Sequence, residues 1–368
     1  MLLGAAALAA LVVGFVVGSS GGRGARSHTV PKPPAPAVAK ARGLSLRRQI
    51  GELLVISFKG PGVPAYVKDA LRHGRATGVI LFRGNATTPA AMRAVTRTVQ
   101  HAARGRALIC VDQEGGPIRI LPWASPEPAQ SAQAGPAQAR ALAKRASADL
   151  TANGINVTLA PVADVAPSGS VMHTRAFPGA TAQVAQTTAA AVSGYRGTKV
   201  AATLKHFPGL GEAGTNTDYG PVTISSPRAV LRARDLPPFK AGIDAGAPIV
   251  MVSHALYTGL DRRHIASQSP AILTALLRRQ LGFRGVVMTD SMEAAAVLKR
   301  SSVETAALRS LAAGADILLM TGPGSFPRVR RELTIAAKRS AKFRARIAES
   351  AARVIALKRS LGVGHTRR

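Results

Sequence analysis

The chain has 368 residues, 46% of them hydrophobic, which excludes a disordered chain and suits either one large α/β domain or two small ones. Lysine and arginine number 49 against 18 acidic residues, a net charge of +31. Aromatics are only 4% and the basic residues are spread along the chain, so no nucleic-acid recognition segment stands out. The charge reads as arginine-rich solvated helix faces, with adhesion to an anionic envelope polymer as the functional alternative.

Residues Met1 to Ser19 are almost wholly apolar (Leu2, Leu3, Leu11, Val12, Val13, Phe15, Val16, Val17), the length of a signal h-region or a short membrane anchor. No basic segment precedes them, and the nearest charges, Arg23 and Arg26, follow. The positive-inside rule alone would keep the body in the cytoplasm. A protein kept inside has no use for such a segment, so the expectation is an exported, extracytoplasmic protein, secreted or membrane-anchored through residues 2–19. The absence of a lipobox cysteine excludes a lipoprotein. Residues 20–43, Gly-rich and then Pro-rich (Pro31, Pro33, Pro34, Pro36), read as a disordered linker.

From residue 44 to 362 the pattern becomes regular. Short apolar runs recur at Leu53–Phe58, Gly78–Phe82, Ala107–Val111, Ile155–Ala160, Val200–Leu204, Pro248–Val252, Gly285–Thr289 and Ala315–Met320. They are continuous rather than alternating, as parallel strands covered on both faces should be. Ala-rich, Arg-studded helical stretches separate most of them, for example Ala137–Asn153 and Ala294–Gly314, and Ser269-Pro270 marks a helix start. Ile347, Ala351, Val354 and Leu357 form the inward stripe of a last helix. Eight such units predict a single (β/α)8 TIM barrel, with residues 363–368 as a basic tail. Cys110, the only cysteine, lies mid-strand as an inert buried thiol, and no Cys/His spacing suggests a metal site.

In such a barrel the residues just past each run meet on one face. They are Lys59, Arg83-Gly84-Asn85, Asp112/Glu114, Asp164, Lys205/His206, His254, Asp290/Glu293 and Thr321. Carboxylates with dispersed donors, and no Gly-rich phosphate cradle, suit a polyhydroxylated substrate such as a sugar. Retaining glycosidases need one carboxylate as nucleophile and a second group as acid/base. Asp290, ending a fully apolar strand, is the natural nucleophile. Read from the residues alone, Asp112 also suits a helix cap, Arg175 a surface loop, and Lys205 and His206 partners of structural carboxylates. His254 also suits a core position, and Asp164 reads as structural or supporting.

Asp112-Gln113-Glu114-Gly115-Gly116, Lys205-His206-Phe207-Pro208-Gly209, Met251-Val252-Ser253-His254 and Val287-Met288-Thr289-Asp290 resemble the signature of glycoside hydrolase family 3. The Lys-His-Phe-Pro-Gly form is similar to its single-domain β-N-acetylhexosaminidase branch. The resemblance implies that Asp290 forms a covalent glycosyl intermediate. It also implies that Asp112, Arg175, Lys205 and His206 hold the sugar hydroxyls, that His254 lines the same pocket, and that no metal or organic cofactor takes part. Two departures follow. Where the branch has Asp-Ser-His, with His as acid/base, this chain has Asn216-Thr217-Asp218, so Asp218 becomes the candidate acid/base and Glu212 the fallback. Where the family commonly has arginine, Ile120 stands, with Arg119 beside it. The implied activity is removal of terminal β-linked N-acetylglucosamine from peptidoglycan fragments or other anionic envelope glycans. The alternatives are a β-glucosidase-type activity and a non-catalytic glycan-binding envelope protein.

Overall fold

The computed structural model describes residues 30–364. Eight strands, β1 (Leu54–Ile56), β2 (Gly78–Ile80), β3 (Leu108–Val111), β4 (Val157–Thr158), β5 (Thr203–Phe207), β6 (Ile249–Val252), β7 (Val286–Ser291) and β8 (Ile317–Met320), lie where the apolar runs were expected. All neighbours pair in parallel, β1 lying between β2 and β8. The order continues round each side to β4 and β5. There the wall is nearly closed by single bridges, Val157 to Ala201 and Val162 to Lys205, with the Thr158 N–H donating to the Ala201 carbonyl at 2.9 Å. Parallel neighbours cannot be joined by tight hairpins, so each connection crosses the outside, mostly as a helix.

Alternation along the strands splits the core in two. Val55, Ile80, Leu108, Cys110, Met251, Met288 and Leu319 fill the barrel interior. Leu54, Ile56, Val79, Leu81, Ile109 and Val111 face the outer helices. Both faces are dry, which is why the runs carry no polar alternation. Burial, aided by the charge of Asp112, pushes the Cys110 thiol far up, so it is inert packing as expected. The last helix, Ala341–Ser360, sends Val354 and Leu357 into the floor of the same interior.

Three expectations change. Residues 20–43 were expected to stay disordered, but Ala35–Arg42 form a helix packed on the last helix, with Ala37 and Ala41 buried. Arg353 further ties Pro31 by its carbonyl at 2.6 Å. The apolar stretch over residues 1–19, expected as a signal or anchor, lies outside the described residues, as does most of the basic tail. The stretch Ala294–Gly314 is two helices, Ala295–Leu298 and Val303–Ala313, because Ser302 accepts from the Thr305 amide and starts a new one. Finally, Val200–Leu204 ends too early: β5 runs on through Phe207, so Lys205 and His206 lie within the strand. Ser269 does cap its helix, accepting from the Ile272 amide at 3.2 Å.

At the floor, the carboxylate of Asp316, fully buried at the start of β8, accepts from Arg278, from Arg346 at 2.9 Å, from Ser350 at 2.9 Å and from the Val287 amide at 3.0 Å. Burial opposes its ionisation, but the guanidinium groups overcome this and hold the carboxyl at about 2. The group clamps β7 and β8 to the helices around them.

Candidate active site

At the opposite end the strand C-termini surround a pocket of about 280 Å3. Asp112, Glu114, Arg175, Lys205, His206, Asn216, Asp218 and Asp290 line it, over an apolar base of Ile80, Leu159, Met251 and Leu319. Two strand irregularities aim the key groups. In β5 the register with β6 shifts between Leu204 and Phe207, and in β7 the register with β8 shifts between Met288 and Ser291. Such shifts re-aim side chains that strict alternation would send elsewhere.

One wall is a buried ion network. The Lys205 ammonium donates to Asp112 and lies against Glu114, each at 2.6 Å, while Arg175 grips Glu114 through two nitrogens at 2.9 and 2.7 Å. Burial alone would raise the Glu114 carboxyl; Lys205 and Arg175 outweigh it and hold it at about 2. Burial would likewise lower the Lys205 ammonium, but the carboxylates of Asp112 and Glu114 raise it, so it stays charged. Glu114 projects from a small hairpin, Gln113–Gly115 with Ile118–Arg119. Gly115, at φ 108°, lies so close to the Pro128 carbonyl that a Cβ would stand 2.1 Å from it. Only glycine fits there.

Replacing Glu114 by glutamine leaves two buried cations underpaired. The expected loss is about 3–5 kcal/mol of folding stability, read by urea unfolding at neutral pH. Because the folded-state carboxyl is depressed, its stabilisation is fully present above the ordinary glutamate range and is lost as pH falls toward about 2. The gap between Glu114→Gln and the unmutated protein should therefore close across that acid window.

His206 is oriented from behind. Its Nδ1 lies 2.8 Å from Asp164 Oδ2, while the other carboxylate oxygen accepts from the His206 and Leu210 amides at 3.1 and 2.7 Å. Asp164, fully buried, is thus the supporting residue it was read to be. With Nδ1 occupied, only Nε2 can serve a ligand.

The last two groups are the carboxylates Asp290 and Asp218. Burial would raise Asp290, but the His206 imidazole, the Ser291 amide at 2.8 Å and the Lys205 charge hold it below the usual carboxylate range. Asp218 sits at the exposed mouth, on the loop after β5. That loop is docked on the helix Ala295–Leu298, whose amides at Ala295 and Ala296 donate to the carbonyls of Asp218 and Thr217 at 3.1 and 3.0 Å. Crowding by protein, and then the charge of Asp290, push the Asp218 carboxyl up. No cation pairs with it among the described residues. Asn216 only accepts from the Asp218 amide, at 3.0 Å. One pocket therefore holds a carboxylate kept ionised and another kept protonated to higher pH, the division of labour that acid/base assignments rest on.

The structure corrects two expected residues. His254 does not line the pocket: it is fully buried, with Nδ1 2.8 Å from Ser267 Oγ and its ring against the Asp290 and Ser291 backbone. Burial lowers its pKa, so it stands neutral behind the wall. Glu212 lies outside the pocket, bound to Arg234 at 2.7 Å and Ser226 at 2.6 Å. The Arg234 hydrogen bond holds its carboxyl down, the wrong direction for an acid. Ile120 packs on the outer core rather than in the pocket, and Arg119 turns to the Pro122 carbonyl, so neither supplies an arginine contact. Sequence reasoning gave Glu114 no role. Its position two residues from Asp112 in an extended segment, hence on the same side, was the signal.

A parallel barrel with these groups gathered at its strand ends is an enzyme of the sugar-hydrolysing class. The chain belongs to glycosyl hydrolase family 3, whose N-terminal domain model matches residues 45–357. A beta-hexosaminidase of Xanthomonas axonopodis pv. citri (strain 306) is 35% identical over 281 residues, covering 74% of this chain and 84% of that protein. Among solved structures, a beta-N-acetylhexosaminidase from Beutenbergia cavernae DSM 12333 superposes with a TM-score of 0.79 at 33% identity, over 87% of this chain and 99% of that one. A family 3 beta-N-acetylglucosaminidase from Paenibacillus sp. str. FPU-7 gives 0.82 at 29% identity over 89% of this chain, which spans only 64% of that neighbour.

Proposed function

We propose that the protein is an exo-acting, retaining β-N-acetylglucosaminidase. The observation that carries the mechanism is the pairing of a depressed Asp290 with a raised Asp218 in one closed-ended pocket. The buried cations and carboxylates of the Asp112–Glu114–Arg175–Lys205 wall, with His206, offer fixed donors and acceptors to sugar hydroxyls. Asp290 attacks the anomeric carbon while Asp218 gives its proton to the leaving oxygen. Asp218 then takes a proton from water, which opens the glycosyl ester at Asp290 and restores the original configuration. Hydrolysis of an aryl β-N-acetylglucosaminide by the purified protein tests this, beside the matching glucoside. Faster turnover of the glucoside would move the assignment to a β-glucosidase. No turnover of either, with sugar binding retained, would make the protein a glycan binder.

An ionised carboxylate at the mouth repels an anionic acceptor. Turnover should therefore be unchanged by added inorganic phosphate, with free sugar rather than sugar phosphate as product; phosphate-dependent turnover would contradict Asp218 as acid/base. We extend the proposal to an extracytoplasmic enzyme acting on peptidoglycan fragments or other anionic envelope glycans. Support for that comes from the net charge of +31 and the apolar stretch over residues 1–19.

A further inference from the structure

Behind the nucleophile, away from the pocket, runs a short chain of buried contacts. β6 and β7 pair residue for residue only as far as Val252 and Thr289. Past that point β6 leans toward β5, its Ser253 amide donating to the Phe207 carbonyl at 2.9 Å. On its other side β7 slips register against β8 between Met288 and Ser291. The segment carrying Asp290 has thus left the ladder with β6, and the His254 ring, two residues past Val252, takes that place.

The ring is fastened from its far side. Nδ1 lies 2.8 Å from the hydroxyl of Ser267, itself fully buried in the turn Ala266–Gln268. A neutral imidazole carries one N–H. Nε2 faces the carbonyls of Asp290 and Ser291, with no well-formed hydrogen bond to either. A lone pair there would oppose two carbonyl oxygens, so the proton belongs on Nε2 and the Ser267 hydroxyl donates to Nδ1. The peptide between Asp290 and Ser291 is then held at both ends. Its carbonyl meets the imidazole N–H, and its own N–H donates to Asp290 Oδ1 at 2.8 Å. Contacts strung through one peptide polarise each other, so a donor at the carbonyl strengthens the amide that steadies the carboxylate.

We infer that His254 is a positioning residue for the nucleophile: through the Asp290–Ser291 peptide it keeps the carboxylate in its attacking orientation and strengthens the one amide bound to it. This rests on the glycosidase reading above. The other titratable groups facing Asp290 are Lys205 and His206 of β5 and Asp218 of the loop after it, while Glu293, past β7, faces His254. The variants that test the inference leave all of them in place.

The test follows the acid limb of kcat/KM on phenyl β-N-acetylglucosaminide in His254→Phe, His254→Gln and Ser267→Ala. Phenylalanine keeps the bulk of the ring and removes its N–H. Its kcat should fall about tenfold to a hundredfold, as a slightly misaimed group costs. The acid limb should move up by roughly half to one pH unit, the size of one neutral hydrogen bond. The sign follows because a weaker amide favours the protonated carboxyl. Glutamine, whose amide nitrogen reaches where Nε2 stood, should return the limb most of the way, and Ser267→Ala should shift it in the same direction by less. Lost activity with an unmoved limb, or a glutamine variant no better than phenylalanine, overturns the inference. A second measurement does not need turnover: isotope-edited NMR of the aspartate Cγ carbons, with the Asp290 signal identified by its loss in Asp290→Asn. Its titration should move up in His254→Phe. In a protein that turns over no glycoside, that shift would sink the glycosidase reading while supporting the role of His254. An unshifted titration would sink that role, whatever the enzyme hydrolyses.

Discussion

Asp290→Ala should lower kcat on an aryl β-N-acetylglucosaminide by about 10^4-fold or more, with little change in folding. A group that forms the covalent bond acts as a unit with its surroundings, so its loss removes nearly all of the chemistry. Stability should survive because Asp290 forms no salt bridge among the described residues and accepts only from the neighbouring Ser291 amide; its truncation leaves His206 tied to Asp164, and Lys205 to Asp112 and Glu114. The decisive arm is rescue. Azide fits the space a methyl leaves and attacks the anomeric carbon from the face Asp290 used, so the variant should produce an α-glycosyl azide. The unmutated protein should release the β-sugar first. Release of the α-anomer by the unmutated protein would remove Asp290 from the nucleophile's role.

Asp218→Asn should separate substrates by leaving group. A general acid contributes about 10^2–10^4-fold where the departing oxygen needs a proton. The unactivated phenyl glycoside should lose activity in that range, whereas a dinitrophenyl glycoside, whose phenolate departs unaided, should still glycosylate the enzyme quickly. The pH profile supplies the sign. The reaction needs Asp290 ionised and Asp218 protonated, so kcat/KM falls as pH drops through the lowered Asp290 and as it rises through the raised Asp218. The two carboxyls interact, so both limbs belong to the pair. Asp218→Asn should flatten the alkaline limb. Asp218→His combined with Asn216→Asp should displace that limb, since an imidazole, which titrates near 6.5 when unperturbed, then takes the place of the carboxyl. An unmoved alkaline limb in both variants would exclude Asp218 as the acid.

Much of the fold was legible because parallel strands buried on both faces cannot conceal themselves: Leu108–Val111 and Ile249–Val252 contain no polar residue to compete with a strand reading. The site was legible where charge is expensive, at Lys205-His206 and Asp290. What failed was decided by tertiary partners. His254 follows an apolar strand by two residues, much as a pocket residue would, and no local feature reveals that Ser267, thirteen residues on, fixes it inside. Glu212 was disqualified by Arg234, twenty-two residues away. The helix Ala35–Arg42 follows a proline-rich run that reads as extended, and its burial depends on a helix from the far end of the chain. Strand ends erred at β5 because a register shift carries the strand through residues that alternation would not admit.

The floor of the barrel has a bearing on how the molecule presents itself. Val30, Lys32 and Pro34 run beneath the starts of β6, β7 and β8, beside Pro248, Gly285 and Gly314, and Arg353 fastens Pro31 there. The catalytic mouth is at the other pole. The described chain therefore begins on the face opposite the mouth. A label or fusion joined at Val30 starts a full barrel's length from Asp218 and Asp290, so the pocket walls need not rearrange to admit it.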